Sequence, residues 1–440
     1  MLSCFARLCI GICTLLSCAT VHAEDWPQWR GAQRDGTSAE KGLKQKWPKE
    51  GPSLLWNIKT LGSGFSGPAV VGERVFIMGS EDDSEYLAAL GVGKGNELWR
   101  VKLGPIFKND WGDGPRGTPT VAGDRVVALG AQGVLVCVEL TTGKEHWRTD
   151  LRKDHAGQLM KGNIWDVDWG YSESPLVDDG KVIVSPGGSK GIVAAFELAT
   201  GKQIWRTATI KDTAGYSSIV AANIHGTRHY VQLTGGVEFR GDETKFAWPR
   251  VIGIAPKDGN ILWQHKINYN YAGVINTPVV LNDIVYTSCG YGAGCTILRI
   301  DKDGAGLKAV DITKESRKVM VTYHGGIVPA KDRVFGFTET QGWVCQKLPS
   351  GESLWEDKRK IRGGSHIRIG NHFIIVTLEG AVAMTEPNDD GWTVQGDFIL
   401  PNVSPLRKAN SKIKVCTQPV VGNGRLYIRD QENLYCYDLR

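Results

Sequence analysis

The 440-residue sequence lacks several features that would point to common functional classes. Its 52 basic and 47 acidic residues leave a formal net charge of +5, and no long basic block occurs. The chain therefore carries no sequence signature of nucleic-acid binding. Beyond residue 23 no apolar run approaches the length of a membrane-spanning helix, so no transmembrane span is expected.

Cysteine is scarce outside the N-terminus. The chain has 10 cysteines, and those beyond residue 23 are too few for a disulfide scaffold in a chain of this length. Their spacing offers no complete zinc site. Cys289 and Cys295 lie in the Gly-rich stretch SCGYGAGC. A hairpin disulfide between these two residues and a pair of free thiols are both open interpretations.

Residues 1–23 have the pattern of a secretory signal peptide. They hold a single charged residue, Arg7, followed by an apolar run and the sequence VHA. Cleavage after Ala23 is expected, which would place the protein in the periplasm or outside the cell. The alternative is lipid anchoring at Cys18, because LLSC loosely resembles a lipoprotein cleavage box.

A short pattern of strand residues, Gly and Trp recurs along the chain. CVELTTGKEHW ends at Trp147 and AFELATGKQIW at Trp205, and further copies end at Trp263 and Trp355. Each copy follows two β-rich runs that are joined by a Gly, Asn or Asp turn and show the period-two alternation of strands. Four short strands in each unit of roughly 40–60 residues is typical of a β-propeller blade.

The repeat predicts an all-β fold, an eight-bladed β-propeller with four-stranded antiparallel blades. The blades start near positions 66, 117, 172, 216, 276, 324, 365 and 417. The last copy is one strand short, and GPSLLWNIKT, which contains Trp56, supplies a matching strand. We therefore predict that this N-terminal strand completes the C-terminal blade and closes the ring. The chain then divides into the signal peptide 1–23, an N-terminal extension 24–50 and a single propeller domain 51–440.

The recurring Trp is interpreted as structural. It falls on the outer strand of a blade, where its large area suits the seam with a neighbouring blade if the indole N–H finds a carbonyl. A redox or ligand-stacking Trp would not recur at one register in most blades. The Gly before it supplies the positive φ of a short turn. The residues assigned to blade docking are Trp56, Trp99, Trp147, Trp205, Trp263 and Trp355.

The copies VELTTGKEHW and FELATGKQIW resemble the Trp-containing repeat of the PQQ-like β-propellers, where PQQ is pyrroloquinoline quinone. That superfamily includes quinoprotein alcohol dehydrogenases and the assembly lipoprotein of the Bam complex, and the resemblance covers nearly all of the chain after residue 23. DWPQWRG and WGYSESPL are more similar still to exported PQQ-binding-like propellers of planctomycete-type bacteria. Because propellers host many functions, the resemblance implies the fold and leaves the function open.

The resemblance makes a PQQ- and calcium-dependent dehydrogenase one alternative. Quinoprotein alcohol dehydrogenases usually carry a disulfide between adjacent cysteines, and this chain has neither adjacent cysteines nor a C-x-x-C-H haem motif. Glu173, Asn276 and Asp168 are of the kind that holds calcium in those enzymes, but none aligns with the family's ligands. No catalytic residue, metal site or cofactor is therefore assigned. A polyvinyl-alcohol-dehydrogenase-like enzyme, with Arg116 over the quinone, stays an alternative.

Function is expected in the non-repeating loops that lead into the inner strands, because these loops open on one face of the channel. Two of them, 104–117 and 152–173, are long and rich in Trp and Asp, which suits a polyhydroxylated ligand; self-packed surface loops are the other interpretation. Residues at the blade starts should converge on the same mouth, where two histidines of neighbouring blades could share a metal or a proton. The alternative is that these polar groups satisfy one another around a water-filled channel. The ligand-binding candidates are Arg116, Trp165, Asp168, Trp169, Tyr171, Glu173, Tyr216, Asn276, His324, His366 and Gln418.

These observations favour an exported, monomeric propeller that binds a polyhydroxylated molecule or a protein partner at the channel mouth. The alternatives are the dehydrogenase of alcohols or sugars and a scaffold for outer-membrane protein assembly of the Bam lipoprotein type. Lipid anchoring would favour the scaffold, and the missing cysteine pair and haem motif count against the enzyme.

Overall fold

The computed structural model describes residues 24–440 apart from 60, 162–167, 241–242, 268–272, 315–318, 339 and 359–360. These residues form eight antiparallel sheets that follow one another along the chain, which confirms the eight-bladed, all-β propeller. Pro405–Ala409 is the single α-helix in this part of the chain. No helix among the described residues has both the length and the apolar character needed to span a membrane.

The first four blades each contain four principal strands. Blade 4 carries two additional strands, Asp212–Ala214 and Glu243–Phe246, which pair with its long second strand. In chain order the principal strands are Ala69–Val71, Arg74–Glu81, Ser84–Gly91 and Glu97–Pro105 in blade 1; Thr120–Ala122, Arg125–Leu129, Val134–Glu139 and Glu145–Asp150 in blade 2; Leu176–Asp178, Lys181–Val184, Ala194–Glu197 and Gln203–Arg206 in blade 3; and Val220–Ile224, Thr227–Arg240, Arg250–Ile254 and Ile261–Lys266 in blade 4.

Blades 5 to 8 repeat the arrangement. In blade 8 the fourth strand is Leu54–Ile58 from the other end of the chain, with Trp56 opposite Cys436. The strands are Val279–Leu281, Ile284–Cys289, Gly294–Asp303 and Gly306–Asp311 in blade 5; Val328–Ala330, Arg333–Thr338, Gly342–Lys347 and Ser353–Asp357 in blade 6; Gly364–Ile369, His372–Thr377, Ala381–Asn388 and Gly391–Ile399 in blade 7; and Val420–Gly422, Arg425–Asp430 and Asn433–Asp438 in blade 8.

The apolar core lies between neighbouring blades, and the repeat Trp residues cross these seams. In four cases the indole N–H donates to a carbonyl oxygen of the next blade, which satisfies the one polar group of a largely buried ring. Trp263 is different, because it donates to His229 Nδ1 of its own blade at 3.0 Å. The four seam bonds run from Trp56 to Val92 at 2.9 Å, from Trp99 to Leu140 at 3.2 Å, from Trp147 to Leu198 at 2.9 Å and from Trp205 to Pro256 at 3.0 Å.

Two structural requirements explain the Gly in each repeat, and the sequence indicates only the first of them. Gly201 adopts a φ of +73°, the left-handed region that other residues avoid. It also lies under the Trp of the preceding blade, where a Cβ on Gly201 would be 2.6 Å from Cδ2 of Trp147. The same relation holds between Gly259 and Trp205. Each Gly therefore both forms a turn and gives room to the neighbouring indole.

Cys289 and Cys295 are not bonded to each other, so the hairpin disulfide does not form. In the register of their two strands Cys289 lies opposite Gly294, and Cys295 lies opposite Ser288. This offset of one residue turns the two side chains to opposite faces of the sheet, because side chains alternate along a strand. The thiols accordingly belong to different core clusters.

The N-terminal extension packs against the ring. Its strand Thr37–Ser38 pairs in parallel with the inner strand of blade 7, with Thr37 opposite Arg368. Inner strands line the channel of a propeller, so this part of the extension lies inside the channel. Nothing in the repeat predicts this position.

Candidate binding site at the channel mouth

The channel mouth is formed by the loops that join the outer strand of one blade to the inner strand of the next. In a blade of four antiparallel strands, the end of the fourth strand and the start of the first lie at the same edge. The two long loops predicted from the sequence span residues 106–119 and 151–175. The predicted residue Trp165 falls in the second loop and lies outside the described residues.

Arg116 lies near the end of the first long loop. Its guanidinium donates to the carbonyl oxygen of Gly114 and, at 2.7 Å, to that of Gly112. Its Cζ is 4.4 Å from the centre of the Phe107 ring, within the range of a cation–π contact. Part of the side chain is accessible, but the surrounding loops desolvate it and lower its pKa to about 10, against the opposing effect of the Glu85 carboxylate. Arg116 is therefore a partly accessible cation at neutral pH.

Glu85 holds this loop in place, and sequence reasoning misses it. The side chain is buried, and its two oxygens accept the N–H groups of Phe107 at 3.1 Å and Ala131 at 2.9 Å. Burial raises the pKa of Glu85, while the two backbone bonds act in the other direction. In the sequence Glu85 is one more polar residue in a strand. Only the fold shows that it supports the loop that carries Arg116.

The two long loops meet through a pair of tryptophans. Trp169 stands against Trp111, with ring centroids 4.7 Å apart and planes at 58°. Next to this pair, Asp168 accepts a bond from the Gly170 N–H at 3.0 Å and forms an ion pair with Arg152 at 3.1 Å. Trp111 is 38% exposed, so the pair presents an apolar ring beside a carboxylate.

A third segment, the link between blades 7 and 8, completes this side of the mouth. Lys412 Nζ lies 5.0 Å from the centre of the Trp111 ring and 3.5 Å from a carboxylate oxygen of Asp110. Asn410 donates to the backbone carbonyl of Asp110 at 2.8 Å. The link and the first loop are about 300 positions apart in sequence, so no local pattern relates them.

Tyr216 faces the mouth, and Tyr171 faces the interior, although both belong to a GYS sequence. The Tyr216 hydroxyl donates to the carbonyl oxygen of Met160 at 2.5 Å and accepts the N–H of Trp169 at 3.3 Å. Tyr171 is 1% exposed and donates to the carbonyl oxygen of Pro186 at 2.9 Å. Burial raises the pKa of both phenols, so both are neutral. Tyr171 therefore supports the second loop instead of standing beside Tyr216.

Glu173 is a buried carboxylate below the mouth. One oxygen accepts the N–H of Ser185, and the other has no hydrogen-bond partner among the described residues. Burial raises the pKa of Glu173 to about 7, although its Ser185 bond and the nearby Arg34 guanidinium act in the other direction. The group is thus close to half-ionised at neutral pH.

Asn276 and Gln418 are engaged with backbone carbonyls at their blade starts. The Asn276 amide donates to Ser288 at 3.0 Å and to Thr322 at 2.8 Å, and Gln418 donates to Gly325 at 2.7 Å. Both side chains are buried. Asn276 therefore joins the start of blade 5 to the link before blade 6, and Gln418 joins the start of blade 8 to that same link.

The two histidines occupy different environments. His324 is exposed, whereas His366 is fully buried with its ring edge-on to Trp343 at 4.9 Å. The Nε2 of His366 is 3.1 Å from the carbonyl oxygen of Phe335. Burial lowers the pKa of His366 to about 3, so it is neutral. His366 thus belongs to the core between blades 6 and 7, which does not favour a metal or a proton shared with His324; that expectation stays a prediction.

The described residues do not fit a calcium-held quinone. Nowhere among them do three Asp, Glu, His or Cys side chains converge as metal ligands. Of the three calcium candidates, Asp168 is paired with Arg152, the amide of Asn276 is committed to two carbonyls, and Glu173 is buried against Ser185. We therefore assign no catalytic step to such a group.

Comparison with known proteins places this chain in a family. The family model described as outer membrane protein assembly factor BamB matches residues 83–357, more than half of the chain. The chain belongs to this BamB family. Its fold is accordingly that of the PQQ-like propellers, as the repeat predicts. A search of curated proteins finds no significant match.

Solved structures similar to this BamB-family chain include a BamB and several enzymes. BamB from Moraxella catarrhalis is 15% identical with a TM-score of 0.59, and the match covers 88% of this chain and 99% of that one. A quinohemoprotein alcohol dehydrogenase from Pseudomonas putida is 13% identical with a TM-score of 0.63, covering 94% and 80%. The corresponding enzyme from Comamonas testosteroni is 13% identical with a TM-score of 0.61, also covering 94% and 80%. At these identities the likeness shows the fold alone.

Proposed function

We propose that the protein is an exported, non-catalytic binding protein whose ligand docks at the channel mouth. The observation that carries this proposal is the Trp111–Trp169 pair beside the Asp168 carboxylate. A sugar-like, polyhydroxylated molecule has an apolar ring face that stacks on an indole and hydroxyls that donate to a carboxylate. Residues 1–23, with the pattern of a signal peptide, support export to the periplasm or the cell surface.

The charges around the pair suit such a ligand. Asp168 already receives bonds from Arg152 and Gly170, and a carboxylate has acceptor sites for further donors. Arg116 adds a partly accessible cation on the first loop. A mixture of aromatic faces and a few oriented polar groups is what ligand-binding sites commonly present.

A protein partner is the second candidate, and membership of the BamB family favours it. Large apolar side chains are exposed on the surface of the ring, including Tyr291 at 56% and Ile399 at 74%. Exposed aromatic and apolar groups with arginine nearby are enriched at protein interfaces. On this interpretation the chain is a scaffold, and its partner contacts the loops around the mouth.

The experiment measures binding by wild-type and variant protein to two sets of probes. The first set is a panel of neutral oligosaccharides, whose binding is measured by calorimetry. The second is an outer-membrane β-barrel protein, whose binding is detected by cross-linking. Trp111→Ala is compared with a matched control, Trp248→Ala. Both rings have a lysine over their face, with Lys412 at 5.0 Å from Trp111 and Lys266 at 4.9 Å from Trp248. Loss of at least about tenfold in affinity in the first variant alone supports the mouth as the site.

The same protein is also incubated with PQQ and calcium and assayed for dye-linked oxidation of alcohols and sugars. Turnover that disappears in Arg116→Ala would overturn the binding-protein proposal in favour of a dehydrogenase. Equal binding by Trp111→Ala and wild type to every probe that binds would move the site away from the mouth.

A further inference from the structure

Residues 24–40 reach the channel from the face opposite the mouth. The Asp25 carboxylate accepts the N–H of Gly72 at 2.9 Å, and the Glu40 carboxylate accepts the N–H of Gly424 at 2.8 Å. Gly72 and Gly424 lie in the turns between the first and second strands of blades 1 and 8. These turns are at the far edge of the blades from the mouth, so both ends of the segment are anchored at that far face.

Between its ends the segment bonds to the inner strands as an additional strand would. Three inner-strand amides donate to carbonyl oxygens of the segment, each at 2.8 Å. They belong to three blades, 1, 2 and 7. The bonds run from Val70 to Trp26, from Val121 to Pro27 and from Arg368 to Gly36.

The middle of the segment inserts its long side chains among the blade starts. Three side chains reach blades 3, 5 and 6, which the backbone bonds do not involve. The bonds run from Arg34 to the carbonyl oxygens of Ser174 at 2.8 Å and Pro175 at 3.1 Å, from Trp29 to the Thr277 hydroxyl at 2.9 Å, and from Arg30 to the carbonyl oxygen of Ile327. The segment thus spans the channel and contacts blades 1, 2, 3, 5, 6, 7 and 8.

Two arginines in the middle of the segment are buried and have strained backbone angles. Arg30 and Arg34 are each 2% exposed, and their bonds to the blades run to neutral carbonyl oxygens. Burial lowers the pKa of Arg30 to about 10 and that of Arg34 to about 9. Both also have positive φ angles, 61° and 57°, which costs a non-glycine residue of the order of 1 kcal/mol. Backbone strain of this kind persists only where the surrounding contacts fix the conformation.

We propose that residues 24–40 are a built-in plug, which closes the channel from the far face, ties non-adjacent blades together and makes the mouth a blind pocket. Arg30 and Arg34 form the top of the plug, directly below the mouth. The plug does not depend on which ligand the mouth binds, and it implies that a ligand enters and leaves on one face.

The test measures whether a buried channel position becomes accessible when the plug is loosened. The full-length chain carries Thr277→Cys as a reporter, since Thr277 is buried under Trp29, and Cys416→Ser to remove the one partly exposed thiol among the described residues. N-ethylmaleimide labelling of the peptide that contains position 277 is followed in three forms: this parent, the parent with Arg30→Ala and Arg34→Ala, and the parent with Arg362→Ala. Arg362 is an exposed arginine and provides the matched control.

We expect labelling to be at least about tenfold faster in the double variant than in the control, because local opening of the segment no longer has to break its side-chain bonds. Unchanged labelling in a double variant with wild-type circular dichroism would overturn the proposal. Hydrogen exchange on the unmodified protein gives a second test, which does not require the double variant to fold. The amides of Val70, Val121 and Arg368 should be protected like the strand core, and exchange as fast as in exposed turns would also overturn the plug.

Discussion

Replacing Glu173 by Gln should stabilise the protein at alkaline pH. The carboxyl group is 2% exposed, and one of its oxygens accepts the Ser185 N–H while the other has no partner among the described residues. Gln keeps the acceptor oxygen and the shape of the side chain, and it removes the negative charge that burial opposes. The charged group that interacts with this carboxylate is Arg34, and the variant loses their attraction.

The magnitude follows from the pKa of Glu173, which burial raises from 4.5 to about 7. A raised folded-state pKa stabilises the folded protein below the unfolded value, and this stability is lost as the pH rises through about 7. Ionising the buried group therefore lowers the free energy of unfolding by about 3 kcal/mol at pH 8, but by less than about 1 kcal/mol at pH 5. For a domain of this size the larger value corresponds to a melting-temperature difference of roughly 3 °C.

Scanning calorimetry of wild type and Glu173→Gln between pH 5 and pH 8 provides the measurement. The variant should melt about 3 °C higher at pH 8, and the difference should shrink towards pH 5. Glu352→Gln is the control, because Glu352 is exposed and its neutralisation should leave the pH profile unchanged. If Glu173→Gln melts lower than wild type at every pH, the attraction to Arg34 outweighs desolvation and the reasoning is wrong.

Two further predictions concern the blades. Gly201→Ala should destabilise the protein by about 2–4 kcal/mol, since its Cβ would press on Trp147 in addition to the backbone strain. Gly180→Ala has a similar φ and open space, so it should cost only about 1 kcal/mol, and equal melting temperatures for the two variants would contradict the packing role. Alkylation of the denatured protein without reductant should modify Cys289 and Cys295 fully, and a linked peptide containing both would contradict the assigned register.

The fold can be predicted because the same strand and turn pattern occurs in several copies along the chain. Each copy has alternating strands, a Gly turn and a Trp at a constant distance after that Gly, and this pattern determines the number of strands in a blade. The number of copies determines the number of blades in the ring. Details that depend on a shift of one residue in strand register are harder to predict from the sequence. Cys289 and Cys295 lie in a Gly-rich sequence whose composition is compatible with several pairings, and only the strand register turns their side chains apart.

The candidate site can be predicted only in part. The long loops are recognisable as the non-repeating part of the mouth, and Arg116, Asp168, Trp169, Tyr216 and the exposed His324 do lie there. The other described candidates are buried, because a blade-start position does not determine whether a side chain points into the mouth or between blades. Glu85 and Lys412 escape sequence reasoning for a related reason: their contacts join segments that are distant in sequence.

The non-repeating parts of the chain meet at one place, the start of blade 3. Glu173 lies near the end of the second mouth loop, and the last two residues of that loop supply the carbonyl oxygens to which Arg34 of the plug donates. On the mouth side, the same loop carries Asp168 and the Trp169 ring that meets Trp111. A displacement of the plug would therefore break two bonds to the backbone beside Glu173, in the loop that carries Trp169. If the plug and the mouth are coupled in this way, Arg34→Ala should weaken binding at the mouth, although Arg34 lies below the site and donates its bonds to the start of blade 3 instead of to the Trp pair.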